Sequence, residues 1–351
     1  MLAPVTHILP LASVRRERLL PVPGRVIARL DQKVSPLDVV AEAKFGQEHV
    51  LIDVARTLRV SPEQTKEMIR CKPGETVNKN QVIAQTKNLI PQSVRAPTAG
   101  RVLLIGGGQV LLETGETTLE LQAGIPGSVT RVIPERGIEI SFSGALVQGV
   151  WGNGRVDTGV LLPLLKGPAD ILTSKQMDVS QRGSVILSGY CNDLATLETA
   201  AELPVRGLIL GGLSPVLLPQ AAMMSYPIII LDGFTHRPIN DSAFKLLTTN
   251  AKRDVTLNAE ALDRYSGARP EVFIPLPVTQ EPPVPREVET FAPNQPVRLV
   301  RDPHAGSVGT LLNVRSGLTV VPSGLRVPAG EVKLDSGEQV IVPLANLEVL
   351  G

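Results

Sequence analysis

The sequence predicts a multidomain fold, β-rich plus α/β, with one small parallel α/β domain among β modules. Three observations carry this. The 351 residues include 31 Gly and 30 Pro, well above average usage, which favours short strands and turns over long helices. Three stretches repeat one phrase, "VPGRVIARL" at 22–30, "APTAGRVLLI" at 96–105 and "IPGSVTRVI" at 125–133. In each, Pro and Gly set a turn and β-branched residues run on as a strand. From about residue 170 the rhythm changes to strand, helix, strand, the signature of a parallel sheet with right-handed crossovers.

Taken in order, residues 1–19 form an amino-terminal arm whose "RRER" at 15–18 reads as a solvated basic stretch or, alternatively, a phosphate or partner contact. Residues 20–165 form a β module, interrupted by a helical insertion at 48–70. There Val50, Val54 and Leu58, then Thr65, Met68 and Ile69, approximate a helical period, and Ser61-Pro62 makes a helix start. Residues 166–274 form the α/β domain. "GSVILSG" (183–189), "VRGLILGG" (205–212) and "PIIILDG" (227–233) are its buried strands, with helices in "DLATLETAAEL" (193–203), "SPVLLPQAAMM" (214–224) and "NDSAFKLLTTN" (240–250). "DVTLNA" and "PEVFIPL" supply further strands. Residues 275–296 hold seven prolines in 22 positions and read as an extended linker. Residues 297–351 hold Gly-centred turns between short apolar runs, as in a small β-barrel.

Composition narrows the function classes. Only ten residues are Phe, Trp or Tyr, too few for the aromatic platforms that stack single-stranded nucleic acid. A net charge of +1 gives no global steering toward nucleic acid or acidic lipid. Cys71 and Cys191 have neither disulfide-framework nor metal-ligand spacing, which fits a reduced compartment. The first residues place basic side chains after a proline-interrupted apolar stretch, the wrong order for a signal peptide, and no apolar run reaches membrane-spanning length. A cytoplasmic location without membrane association is expected.

"GETVNKNQVIA" at 74–84 followed by "QTKNLIPQSVRAPTAGRV" at 85–102 resembles the hammerhead and carrier hairpin of the barrel-sandwich (biotinyl/lipoyl-like) superfamily, and "DQKVSPLDVVAEA" at 31–43 looks like a second copy of the half-motif. The resemblance implies a barrel-sandwich hybrid. In biotin carriers the modified lysine stands eight positions before the Pro of the Ala-Pro strand, which here is Leu89. Lys87 is nearby, but "NLIPQ" replaces the Met-Lys-Met tip. No covalent cofactor is expected, and no metal or other cofactor.

"QPVRLVRDPHAGSVGTLLNV" at 295–314, with the closing "GEVKLDSGEQVIVPLANLEVL", resembles a KOW domain of the NusG type. That implies an SH3-like barrel docking on the transcription or translation machinery, with Arg298, Arg301, His304, Gly306 and Gly309 as its candidate docking surface. Gly309 is required if its backbone takes positive φ or lies close to the neighbouring strand. Residues 295–351 contain five Lys/Arg and five Asp/Glu. Affinity for a nucleic-acid backbone rests on uncompensated basic residues, so a protein partner is expected ahead of RNA.

Ligands of open parallel sheets bind at the carboxyl ends of strands. That makes Asn192, Gly211, Gly212, Ser214, Asp232 and His236 the candidate crevice. Gly211-Gly212 before Ser214-Pro215 could present amides to an anion, and it is equally what a tight strand-to-helix turn requires. Asp232 with His236 could form an acid/base pair. Cys191 reads as a small core residue.

The function expected from these readings is a non-catalytic scaffold or adaptor whose KOW barrel docks on a protein of the transcription or translation machinery. The rival expectation is a small-molecule-binding protein or enzyme using the strand-end crevice. A third, a transport adaptor built on the barrel-sandwich, is weakened by the absence of a long helical hairpin.

Overall fold

A computed structural model of the chain describes residues 2–351 apart from 89–90, 264–266, 278–281, 283 and 287, with backbone alone at 45–47 and 116–117. It is β-rich, with several sheets and few helices.

The largest sheet has eleven strands. Its parallel part runs Val156–Pro163, Ser184–Cys191, Gly207–Leu213, Ile228–Gly233, in agreement with the strand–helix rhythm. Both faces of Ser184–Cys191, Gly207–Leu213 and Ile228–Gly233 are buried, which is why "SVILSGYC" and "GLILGGL" are mostly apolar rather than alternating. The helices Leu194–Glu202 and Leu218–Met223 lie over one face, where Leu197 and Ala221 join a core with Ile186, Leu210 and Ile228. The helix Asp241–Thr249 covers the other with Ala243 and Leu247 against Val185, Ile209 and Ile229. Asp193 and Asn240 cap the first and third of these helices, accepting from Ala195 N and Ala243 N respectively, as expected for Asx residues there.

This sheet does not stop at residue 166. Val156–Pro163 pairs with Asp254–Asn258, which pairs with Glu271–Pro275, which pairs with Gly137–Gln148. Gly137–Gln148 has two roles along its length. Its first half pairs with Gly127–Ile133 and lines a second core with Val34, Val40 and Ile125; its last residues place Ala145 and Val147 in the core of the parallel region.

The amino terminus differs from the solvated arm that its charge suggests. Ile8–Leu19 pairs along most of Gly137–Gln148, and two of the three "RRER" cations face acidic partners. Arg16 bonds Glu271, Arg18 bonds Glu260, and Glu17 meets Arg131. Leu2–Thr6 crosses to the other end of the chain, where it pairs parallel with Leu347–Leu350 and antiparallel with Val288–Thr290. The end of the proline-rich segment is therefore a strand, its proline-free "VET" free to donate to a ladder. The seven-stranded carboxy-terminal sheet needs residues 2–6, since Ala3 and Val5 sit in one core with Val297, Leu311 and Val349.

A five-stranded sheet carries the region between. Its long antiparallel pair, Val39–Asp53 against Gln109–Gln122, extends through residues 48–53, so the helical insertion is confined to Val54–Leu58 and Pro62–Thr65. The apolar residues at 50, 52 and 54 fit a strand entering a helix as well as they fit a helical period. Ser61 N–H donates to Gln64 Oε1 at 3.0 Å at the second helix start. Val82–Gln85 and Ser93–Arg95 pair across the segment that contains Leu89.

Candidate functional site

The two regions expected to act separately, the strand-end crevice and the carboxy-terminal surface, meet each other. Asp232, at the end of Ile228–Gly233, is buried. Its carboxylate accepts from Asn240 N at 2.9 Å, Asn240 Nδ2 at 2.7 Å and Arg298 Nη1 at 3.3 Å. Arg298 Nη1 also donates to Leu231 O at 2.6 Å. Both Nε and Nη2 of Arg298 face the same Glu348 oxygen, so Nη2 is in ionic contact without a well-directed hydrogen bond of its own. Arg298 is only 2% exposed, which removes it from the docking surface expected of it. A guanidinium on strand Pro296–Leu299 points to whichever side the sheet packs, and here that side is the α/β region.

The contact continues around this centre. Glu348 Oε2 accepts from Thr6 Oγ1 at 3.0 Å, and Arg269 reaches Thr6 Oγ1 and Glu348. Burial draws the Arg269 guanidinium below its ordinary value, Glu348 opposes this, and Arg298 adds to it. Gly306, at φ +81°, lies where an added Cβ would stand 3.2 Å from Asp232 O, and Arg237 donates to Ser307 Oγ beside it. The 302–307 turn is seated on the strand end. Val308 and Leu350 add apolar contact with the core below.

The remaining crevice residues do not converge. Gly211 and Gly212 lie inside Gly207–Leu213. A Cβ on Gly211 would stand 2.5 Å from Ile239 Cγ1, and one on Gly212 would stand 2.6 Å from Thr235 O. Their lack of a side chain admits the returning chain, and their position within the strand removes the anion cradle. Ser214 N donates to Cys191 O at 2.9 Å, and Asn192 is exposed. His236 turns away from Asp232. Its Nε2 donates to Ala169 O at 2.9 Å and its ring stacks on Tyr190 at 4.8 Å, so no acid/base pair forms. Gly189 packs under Asp170, whose carbonyl accepts from Tyr190 N, and the segment around Asp170 covers this strand end. Cys191 is fully buried, and burial pushes its thiol up to about 11, which disfavours the thiolate.

On the carboxy-terminal sheet, Gly309 takes the second of its two expected roles. An added Cβ would meet Lys333 O at 2.4 Å across the ladder. Arg301 is exposed and His304 half-buried. The exposed apolar surface lies elsewhere, on a projecting hairpin of Thr319–Val320 against Arg326–Val327. Gly324 N donates to Val321 O at 2.8 Å, Val321 N to Leu325 O at 3.0 Å, and Gly324 takes φ +82°. This is the three-residue loop of a turn followed by a left-handed residue, encoded by Pro322-Ser323-Gly324. It holds Leu318, Val320 and Leu325 at 66%, 57% and 62% exposure. "VPSGL" is the sequence signal for this hairpin, but exposure of its leucines depends on what packs around it.

On residues 85–102, Lys87 Nζ bonds Glu67 at 2.9 Å on the surface. Leu89, where the expected resemblance would put a modified lysine, lies outside the described residues. Among the described residues no helix is long and apolar enough to cross a membrane. No protein-family model matches the chain, and no curated protein matches it.

Proposed function

We propose that this chain is a cytoplasmic, non-catalytic scaffold or adaptor whose carboxy-terminal KOW-type, SH3-like module docks on a protein of the transcription or translation machinery. The observation that carries this reading is the projecting hairpin. Leu318, Val320 and Leu325 form an exposed apolar tip, and clustered exposed apolar surface marks protein–protein interaction sites. Charge favours protein over nucleic acid as the partner. Of the five basic residues in 295–351, Arg298 and Arg315 are committed to Glu348 and Glu331, leaving no basic surplus to neutralise phosphates. The barrel-sandwich reading of the preceding region is supported by the short hairpin Val82–Gln85/Ser93–Arg95, which has no lysine at position 89 to modify.

Affinity purification of the tagged full chain from its host, with and without nuclease, tests the proposal. Ribosomal or polymerase subunits should co-purify, survive nuclease and be lost with Leu318→Ser/Leu325→Ser. Absence of such machinery, or its retention by the double variant, would overturn the reading. Point variants are preferred to removing 295–351, because that deletion would orphan Leu2–Thr6 and Asp232.

A further inference from the structure

We infer that the outer face of the five-stranded sheet is a two-fold interface between two copies of this chain. In Val39–Asp53, Gln109–Gln122 and Gly100–Gly106, Leu51 stands opposite Leu111, and Leu111 opposite Leu104. The three form one row across adjacent strands. Leu51 is 59% exposed and Leu104 63% exposed, with Leu111 half-buried between them. Ile52, Val110 and Leu112, next to them in sequence, point the other way into the core, as the two-residue period of strands demands; Val102, two residues from Leu104, joins that core because the pairing register shifts between Leu111 and Leu112. A contiguous apolar row exposed on a sheet face marks an interaction surface.

The flanking rows identify the cover. Two residues along each strand, on one side of the leucines, lie Asp53 and Gln109, joined by a 3.4 Å hydrogen bond. On the other side lie His49, Glu113 and, three residues from Leu104 across the register shift, Arg101, with Arg101 and Glu113 paired at 2.9 Å. These contacts place both flanking rows on the same outward face as the leucines. A two-fold axis along the leucine row sets each leucine against its own counterpart. It sets Asp53 opposite the partner's His49 and Gln109 opposite the partner's Glu113. Arg101 falls opposite the partner's Gly106, and the other facing pairs are apolar to apolar, acid to imidazole or amide to carboxylate, the self-complementarity an isologous contact requires. An axis along the strands would set Glu113 against the partner's Glu113 and His49 against the partner's Arg101, and like-charge facing is unfavourable.

Sedimentation velocity of the full chain across a concentration series tests this. A reversible dimer is expected, with Leu111→Glu raising the dissociation constant by at least about 10-fold and leaving the circular dichroism unchanged. Mild oxidation of Leu111→Cys should give a disulfide-linked dimer, since Cys71 and Cys191 are buried and do not compete. In the Leu51→Cys/Leu104→Cys variant, links should join 51 to 51 and 104 to 104. A chain that stays monomeric at every concentration loaded, or a dimer indifferent to Leu111→Glu, overturns the interface. A 51-to-104 link overturns the axis.

Discussion

The carboxy-terminal region has two ends, one on the seven-stranded sheet and one on a separate two-stranded hairpin, that invert the usual distribution of residues. At one end Arg298, Glu348 and Asp232 are buried together; at the other Leu318, Val320 and Leu325 stand in solvent. Charged groups are seldom buried unless paired, and here each has partners contributed by a different part of the chain. Asp232 comes from the parallel strands, Thr6 from the first strand, and Glu348 from the last. The buried end joins the modules and the exposed end is left for something else. A charge count along 295–351 cannot separate the two, because it weighs a cation sealed against Leu231 O equally with one in water.

Variants can break or sharpen this contrast. The largest effect is expected for Arg298→Ala, which leaves Asp232 buried without a cation and Glu348 with only the 3.9 Å contact to Arg269. Removing one partner of such a cluster costs about 3–5 kcal/mol, readable as a lower urea midpoint. Restoring much of that loss by also replacing Glu348 with Gln and Asp232 with Asn would show that orphaned charge, not lost packing, is the cause. Deleting residues 1–6 removes Val5 from the terminal core and the Thr6 hydroxyl from Glu348. A loss of about 2–4 kcal/mol is expected, with faster hydrogen exchange in Leu347–Leu350. Gly306→Ala forces a side chain into a left-handed backbone beside Asp232 O, costing about 1–2 kcal/mol in thermal or chemical melts. Leu318→Ser/Leu325→Ser should move stability by less than about 0.5 kcal/mol while abolishing partner capture. A large stability loss in that variant would mean the hairpin packs on the fold instead of projecting from it.

Local patterns in the sequence located most elements. The apolar runs at 183–189, 205–212 and 227–233 are buried strands, and Asp193 and Asn240 start helices as their short polar side chains suggest. What local pattern cannot supply is partnership across the chain. Nothing near Leu2–Thr6 indicates that it pairs with Leu347–Leu350, and nothing in "VRLV" says that Arg298 faces inward. The same limit explains Gly211 and Gly212. Their spacing suits an amide cradle or a close approach equally, and only the position of Ile239 and Thr235 decides. The basic "RRER" stands out as a cluster, yet the acids that neutralise Arg16 and Arg18, Glu271 and Glu260, lie far along the chain, as does Arg131, which pairs with Glu17.

Hydrogen exchange on the full chain and on Arg298→Ala, read by mass spectrometry, tests the contrast between the closed and open ends most directly. In the parent chain, 296–299 and 228–233 should be protected together while 316–326 exchanges fast; in the variant, both protected segments should accelerate in concert and the hairpin should not change. Protection of the hairpin in the parent, or acceleration of one buried segment without the other, would contradict the account.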